Sequence, residues 1–212
     1  MTVISPSLPP SRPGSVALIA GDLALDFANS ESGRGFPSRQ DHLQAPGDVA
    51  QWLAHAGALD RAEGLALQRE IAADSDLAGR IFGEARALRD DVHAVGAAIA
   101  RRAPPPEGAL AGLTALHARC LAHARLVPHG ARRQWGWTIA AAPLEGALGP
   151  VTLAATMLLT DRDPARIKEC GGVGCGWLFH DATKNNRRRW CEMEVCGNRA
   201  KQKRLAARRR GG

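Results

Sequence analysis

The sequence lacks the features that define several large functional classes. No apolar run is long enough to cross a bilayer, which takes roughly 20 residues, and the best candidate at residues 149–159 is about half that length. The opening MTVISPSLPPSRPGS has neither the basic start nor the apolar centre of a signal peptide. No phosphate-binding loop, nucleophile elbow or dinucleotide fingerprint is present. We therefore predict a cytoplasmic, non-enzymatic protein without a membrane partner, preceded by a disordered leader at residues 1–15.

Positive charge is concentrated at the C-terminal end of the chain. The formal net charge is +7. Residues 1–165 contain 15 Lys and Arg against 17 Asp and Glu, a net of −2, whereas residues 166–212 contain 13 against 4, a net of +9. A nearly neutral body with a basic end is typical of a protein with a polyanion-binding appendage, although a solvated tail has the same composition.

Hydrophobic periodicity predicts a helix-rich body over residues 16–165. Between the predicted helices, residues 125–142 have no helical period and predict a short hairpin, because Trp135 and Trp137 alternate as in a strand. A strand or hairpin is predicted to lead into the first helix, from about residue 18. The predicted fold class is mainly α (α+β), with a helical N-terminal domain and a small β element. Helices are predicted at residues 24–29, from Pro46 onward, and at residues 74–102, 107–124 and 146–160.

Four of the five cysteines form a metal-binding pattern. Cys120 lies alone in an Ala/Leu-rich stretch and is predicted to be a small core residue. The others follow the spacing C-x4-C-x15-C-x4-C, which is typical of a tetrahedral zinc site with two short-spaced pairs. A redox dithiol would instead show C-x-x-C spacing. Four thiolates fill the coordination sphere, so we predict one structural zinc ion per chain. The predicted ligands are Cys170, Cys175, Cys191 and Cys196.

The cysteine-containing segment needs this metal in order to fold. Residues 169–203 contain few apolar side chains, and ordering each residue costs roughly 1–2 kcal/mol of backbone entropy. Zinc supplies on the order of 10–16 kcal/mol in small zinc modules. Between the cysteine pairs, an apolar run, a polar turn at residues 183–186 and a return ending at Trp190 predict a β-hairpin. A helix then begins at the second pair, so residues 166–210 are predicted to form a treble-clef-like zinc finger.

Several motifs resemble known families. CGNRAK at residues 196–201, preceded by RRRWC and CGWLFHD, resembles the CGNR zinc finger, although Ala182 is inserted where the family often places Ser or Thr after the Asp. GDLALDFANS, DHLQAPGDVAQWL and ARALRDDV resemble the ABATE domain, which usually precedes that finger. This resemblance implies a bacterial, stress-linked transcription regulator that binds double-stranded DNA. Carried over by position, the candidate DNA-contacting residues are Arg187, Arg188, Arg189, Arg199, Lys201, Lys203 and Arg204.

The sequence is also compatible with other functions. The same charges would serve an RNA-binding finger, and a protein-docking finger would bind in a way that survives high salt. A nuclease would need an exposed histidine and carboxylate, for which His180 and Asp181 are the only neighbouring pair in the finger. Asp22, Asp26 and Asn29 are expected to cap and close local turns, and the alternative is a small-molecule pocket that makes the body a sensor. A homodimer is also left open.

Overall fold

The computed structural model describes residues 13–210. The predicted leader lies outside the described residues except for Pro13–Ser15, which form a 3-10 turn. Within the described part, the chain forms seven α-helices and three two-stranded antiparallel sheets, which confirms the mainly α fold class. None of the described helices is both long and apolar enough to span a membrane.

The body consists of six helices arranged around the longest of them. Helix α4 (Ser75–Ala100) contacts the other five body helices, and its buried face contains Leu77, Ile81, Leu88 and Val92. These residues recur at helical spacing, so the apolar stripe of one helix becomes the centre of the core. The body helices are α1 (Leu23–Ala28), α2 (Pro46–His55), α3 (Arg61–Ala73), α4 (Ser75–Ala100), α5 (Glu107–Ala122) and α6 (Pro143–Thr160).

Two details of the body differ from the sequence prediction. Helix α3 was not predicted, because Gly64 and Leu67 are its only fully buried residues and its apolar stripe is therefore weak. Its start is nevertheless fixed by a capping box, in which Asp60 and Glu63 each accept the other's backbone N–H. The predicted strand before α1 is also wrong, since the chain bends there and Asp22 caps the helix by accepting the Ala24 amide.

A buried arginine ties the first β element to the core helix. Strands β1 (Glu31–Ser32) and β2 (Gln40–Asp41) pair with each other. The Arg89 side chain is fully buried on α4 and contacts the Glu31 carboxylate at 2.9 Å and the Asp41 carboxylate at 2.6 Å. A buried cation is tolerated only with such partners, so this cluster fixes the position of the β1–β2 ribbon.

The second β element is a hairpin that extends from the body, as the tryptophan alternation predicts. Strands β3 (Arg125–His129) and β4 (Arg132–Gly136) place Leu126 opposite Trp135. Nearly all of its side chains are exposed, including 60% of Leu126 and 42% of Trp135. Cys120 is fully buried in the main core beneath it, which confirms its predicted role.

The cysteine-containing segment packs against the body instead of standing apart from it. Strand β5 (Ile167–Glu169) pairs with β6 (Leu178–His180). Leu178 and Phe179 are fully buried in an apolar cluster shared with Leu25 of α1 and Ala97 of α4. The predicted hairpin between the cysteine pairs is therefore wrong: β6 pairs with a strand that precedes the first pair, and residues 187–190 form no strand. A π-turn (Met193–Gly197) then leads into the last helix, α7 (Asn198–Arg210).

Candidate metal centre and nucleic-acid interface

The four predicted ligands converge on one point. The sulfur atoms of Cys170, Cys175, Cys191 and Cys196 all lie within 4.8 Å of one another. The Cys175–Cys191 and Cys191–Cys196 sulfur distances are 3.7 Å and 3.6 Å. A tetrahedral ion with Zn–S bonds of about 2.3 Å requires sulfur–sulfur edges of about 3.8 Å. These separations therefore fit zinc, and they are far longer than the roughly 2.05 Å of a disulfide bond.

The first cysteine pair lies in the turn between β5 and β6. The Cys170 amide donates to the Trp177 carbonyl at 2.8 Å, which extends the strand pairing into the turn. Gly174 and Gly176 flank Cys175 with φ values of +75° and +69°, which residues with side chains rarely adopt. These two glycines thus allow Cys175 to point back at Cys170.

Backbone amides donate hydrogen bonds to the cluster sulfurs. The Gly172 and Cys191 amides donate to Sγ of Cys170 at 3.4 Å and 3.3 Å. A Cβ atom on Gly172 would lie only 3.0 Å from Sγ of Cys196, so this position has no room for a side chain. Such N–H donors partly offset the charge of −2 that four thiolates and one Zn²⁺ create.

The protonation of the thiols shows why the cluster needs a cation. Hydrogen bonds from the thiols of Cys175 and Cys191 lower the pKa of Cys170 to about 2. The hydrogen bond to Cys170 raises the pKa of Cys175 and of Cys191, and burial raises that of Cys196. One ionised sulfur therefore opposes ionisation of the other three, and a divalent metal removes that opposition. Three of the four cysteines are buried and the set is complete, so the residues fit one structural zinc ion.

A buried carboxylate organises the loop between the cysteine pairs. Asp181 is fully buried and accepts from Lys168 Nζ at 2.6 Å, from Thr183 and from the Arg188 amide at 2.8 Å. Burial alone would raise the pKa of Asp181, but these hydrogen bonds outweigh it and hold the pKa well below its usual range. Lys168 also donates to the carbonyls of Asn186 and Arg188, so its charge stabilises the loop and not the thiolates.

One of the seven candidate DNA-contacting residues faces the protein interior. The Arg188 guanidinium donates to the carbonyls of Ile19 at 2.9 Å, Trp190 at 3.1 Å and Cys191, and it lies 4.4 Å from the centre of the Phe179 ring. Because Ile19 belongs to the body, Arg188 links the body to the finger. Three of its five N–H donors are directed at these carbonyls.

The other six candidate residues are exposed. Arg187 is exposed, and the Arg189 guanidinium lies 5.4 Å from the centre of the Trp190 ring. The remaining four lie on α7, whose residues 201–209 are all exposed. Among the elements that the structure describes, helix α7 has substantial contacts only with the π-turn before it. The structure thus brings the basic side chains together on one projecting helix and one loop beside the metal centre. The four on α7 are Arg199, Lys201, Lys203 and Arg204.

The body positions the first cysteine pair through contacts that sequence reasoning missed. The Gly33 amide donates to the Cys175 carbonyl at 2.8 Å, and His93 Nε2 lies 3.1 Å from the Gly176 carbonyl oxygen. Asn29 closes the end of α1 as expected, through its backbone N–H, and its side chain also pairs with the backbone of Leu178. Asn29 lies in the GDLALDFANS motif, but no local signal indicates a partner 149 residues away.

Comparison with known families gives two matches. A family model named ABATE, with the description "Putative stress-induced transcription regulator", matches residues 21–162, more than half of the chain. A model of the CGNR zinc finger matches residues 166–209. No curated protein matches the chain. Both matches confirm the resemblance that the motifs indicated.

Proposed function

The chain belongs to the ABATE family and ends in a CGNR zinc finger, and from this premise we propose that it is a transcription regulator that binds double-stranded DNA through the finger. The family descriptions name a regulator and a zinc finger, which favours nucleic acid as the partner. A bacterial cytoplasm is the compartment in which such a protein would act.

The observation that carries the proposal is the exposure of α7. A helix whose residues 201–209 are all exposed, and which has few apolar residues, gains little from the fold it is attached to. Its basic side chains face solvent on all sides, where phosphate groups can reach them. Because α7 begins two residues after Cys196, at the end of the π-turn that contains this ligand, the metal centre would fix the position of its first turn.

Backbone phosphates are the natural targets of these side chains. The helix has no single basic stripe, since Arg199 and Lys203 share one face while Lys201 and Arg204 lie roughly opposite. Such a distribution favours phosphate contacts, which set orientation and do not by themselves read sequence. Arg187 and Arg189 add two cations on the neighbouring loop.

The test is DNA binding by the zinc-loaded full chain over a range of salt concentrations. About five phosphate contacts would give a slope of log K against log salt near −4 to −5 on duplex DNA. A regulator also needs preference, so one genomic sequence should bind at least roughly a thousandfold more tightly than bulk DNA. Tighter binding to duplex RNA or single strands would favour the RNA-binding alternative. Failure of the folded, zinc-loaded protein to bind DNA would refute the proposal.

Protein docking is the second candidate, and the exposed apolar side chains beside the metal favour it. Val173, Met193 and Val195 are 64%, 56% and 48% exposed, and all three lie within the two cysteine turns. Apolar side chains clustered in this way often mark a contact surface. If the chain bound a protein partner with an affinity that did not change with salt concentration, protein docking would be favoured over DNA binding.

A catalytic role receives no support from the finger's one His–carboxylate pair. Asp181 is fully buried and paired with Lys168, so it cannot offer an open metal position beside His180.

We propose that the body acts as a ligand-sensing or dimerisation module for the finger. A change in the body on ligand binding or dimerisation would reach the finger through the contacts of Asn29, Gly33 and His93.

A further inference from the structure

A concavity lies beneath the β3–β4 hairpin, on the body and away from the metal centre. Its volume is about 490 Å³, within the range of small-molecule sites. The lining includes Trp135 of β4 and Trp137, which directly follows that strand. Helix α3 contributes Glu63, and α6 contributes Gly146 and Pro150. Among the described elements, the two hairpin strands have substantial contacts only with each other.

The aromatic side chains suit a flat, apolar ligand. Trp135 is 42% exposed although its ring is large, and a ligand beside it would remove that apolar surface from water. Trp137 is fixed, because its Nε1 donates to the Cys120 carbonyl at 2.7 Å. A Cβ on Gly149 would lie 2.4 Å from the Trp137 ring, so only glycine lets the ring lie against α6. One ring is therefore held rigidly and the other is accessible.

The charge in the described lining of the concavity is negative. Glu63 is the only charged residue in the described lining, which contains no Lys, Arg or His. One Glu63 oxygen caps α3 at the Asp60 amide, and a carboxylate retains further acceptor capacity beyond that bond. Pro150 lies inside α6 and has no N–H to give to the Gly146 carbonyl one turn earlier. Gly146 and Pro150 both line the concavity, so this break in the helical hydrogen-bond pattern lies on the same surface as the Glu63 carboxylate.

From these groups we propose that the concavity binds a small aromatic cation. The ring of the ligand packs against Trp135 and Trp137, and its ammonium donates to Glu63 and the Gly146 carbonyl. An anion of the same shape would be repelled by the Glu63 carboxylate and should bind more weakly.

The concavity also touches the element that reaches the finger. Leu23, the first residue of α1, lines it, and Asn29 at the other end of α1 holds Leu178 of β6. Any effect of the ligand on DNA rests on the proposed function, whereas binding of the cation does not.

The experiment is calorimetric titration of the zinc-loaded full chain, without DNA, using tryptamine as the probe. Indole-3-acetate has the same ring and the opposite charge, so it should bind at least about tenfold more weakly. Glu63→Gln keeps an acceptor for the helix cap but removes the charge, and should weaken tryptamine binding about 10- to 100-fold. Glu70→Gln, on the exposed face of the same helix, is the matched control and should bind like the wild type.

A second variant separates the site from general effects on folding. Pro150→Ala returns an N–H to the Gly146 carbonyl and should weaken tryptamine binding about 2- to 10-fold while leaving α6 intact. The assignment is overturned if tryptamine does not bind at millimolar concentrations, or if Glu63→Gln leaves the preference for tryptamine over indole-3-acetate unchanged. Because DNA is absent, neither result depends on whether the finger binds DNA.

Discussion

The side chain of Asn29 pairs with the backbone of Leu178 in both directions. Its Nδ2 donates to the Leu178 carbonyl at 2.8 Å, and its Oδ1 accepts the Leu178 amide at 2.8 Å. Both residues are fully buried. The amide thus acts as a neighbouring strand would, at a position where β6 would otherwise present unpaired groups to an apolar core. The pairing exists only when body and finger are both folded, so it couples the two.

Asn29→Ala should therefore be strongly destabilising. It leaves the amide and carbonyl of Leu178 buried without partners, at about 1–3 kcal/mol for each group. We expect the free energy of unfolding to fall by about 2–4 kcal/mol in urea titrations of zinc-loaded protein. Asn185→Ala, on the exposed loop, is the control and should change it by less than about 0.5 kcal/mol. A small effect at Asn29 would mean that water replaces the side chain.

The zinc content should depend on the four clustered cysteines and not on Cys120. Elemental analysis of untagged protein should give about one zinc ion per chain. Cys191→Ser should abolish stoichiometric zinc, because Cys191 lies 3.7 Å and 3.6 Å from two other sulfurs at the centre of the cluster. Cys120→Ala is the control: it should keep the zinc and lose some stability, since Cys120 is buried in the main core. Metal-free wild-type protein with an ordered finger would contradict the assignment.

Removing zinc should disturb part of the body as well as the finger. Leu178 and Phe179 cover Leu25 of α1 and Ala97 of α4, so a loosened finger exposes apolar surface on both helices. In hydrogen exchange with a chelator present, we expect protection to fall in α1 and near Ala97, while the centre of α4 around Ile81 stays protected. Unchanged protection in α1 would show that the body, up to about residue 165, folds independently of the finger.

The metal site could be predicted from sequence because its information is local. Each cysteine pair is separated by four residues, a tight turn joins its members, and tetrahedral coordination demands four such ligands. Helix α4 was predictable for a similar reason, since its buried stripe repeats over 26 residues. Patterns of this kind are present in the chain before any tertiary contact forms.

The remaining features depend on contacts between distant segments. The pairing of β6 with β5 and not with residues 187–190 is decided by the body, because the buried face of β6 lies on α1 and α4. Arg188 carries the same charge as its neighbours, and sequence cannot show that its acceptors are protein carbonyls. Helix α3 was missed because it buries so little. In each case tertiary packing overrides the local signal.

Asp26 should give the stability a specific pH dependence. Burial raises the pKa of Asp26 from 3.8 to about 6, although the Ala20 amide donates to it at 2.9 Å. The folded state thus holds this proton more tightly than the unfolded state. Protonation of Asp26 therefore contributes fully to the free energy of unfolding below pH 3.8, and this contribution is lost as the pH rises through about 6.

Asp26→Asn removes this titration and provides the measurement. Relative to that variant, the wild type should lose about 2 kcal/mol of unfolding free energy between about pH 4 and about pH 7. Asp76→Asn, on the exposed start of α4, is the control and should follow the wild type within about 0.5 kcal/mol. Parallel curves for the wild type and Asp26→Asn would show that Asp26 is ionised in the fold at both pH values.

Replacing the three consecutive arginines should have two different effects: weaker DNA binding at Arg187 and Arg189, and loss of stability at Arg188. Arg187 and Arg189 are exposed, and Arg188 is held by three carbonyls and the Phe179 ring. Replacing Arg187 and Arg189 together with Ala should leave the zinc content and the melting temperature nearly unchanged. The slope of log K against log salt for duplex DNA should flatten by up to about two units, because two phosphate contacts are lost.

Arg188→Ala should show the opposite pattern. It removes the donors of the Ile19, Trp190 and Cys191 carbonyls, so we expect about 2–4 kcal/mol less unfolding free energy. Its salt slope should stay close to that of the wild type under conditions where the variant is folded. Arg188→Lys keeps the charge but not the planar fork, so it should rescue little of the stability. If Arg188→Ala instead flattens the slope by about one unit with stability unchanged, Arg188 contacts phosphate, and its bonds to the three carbonyls do not hold in solution.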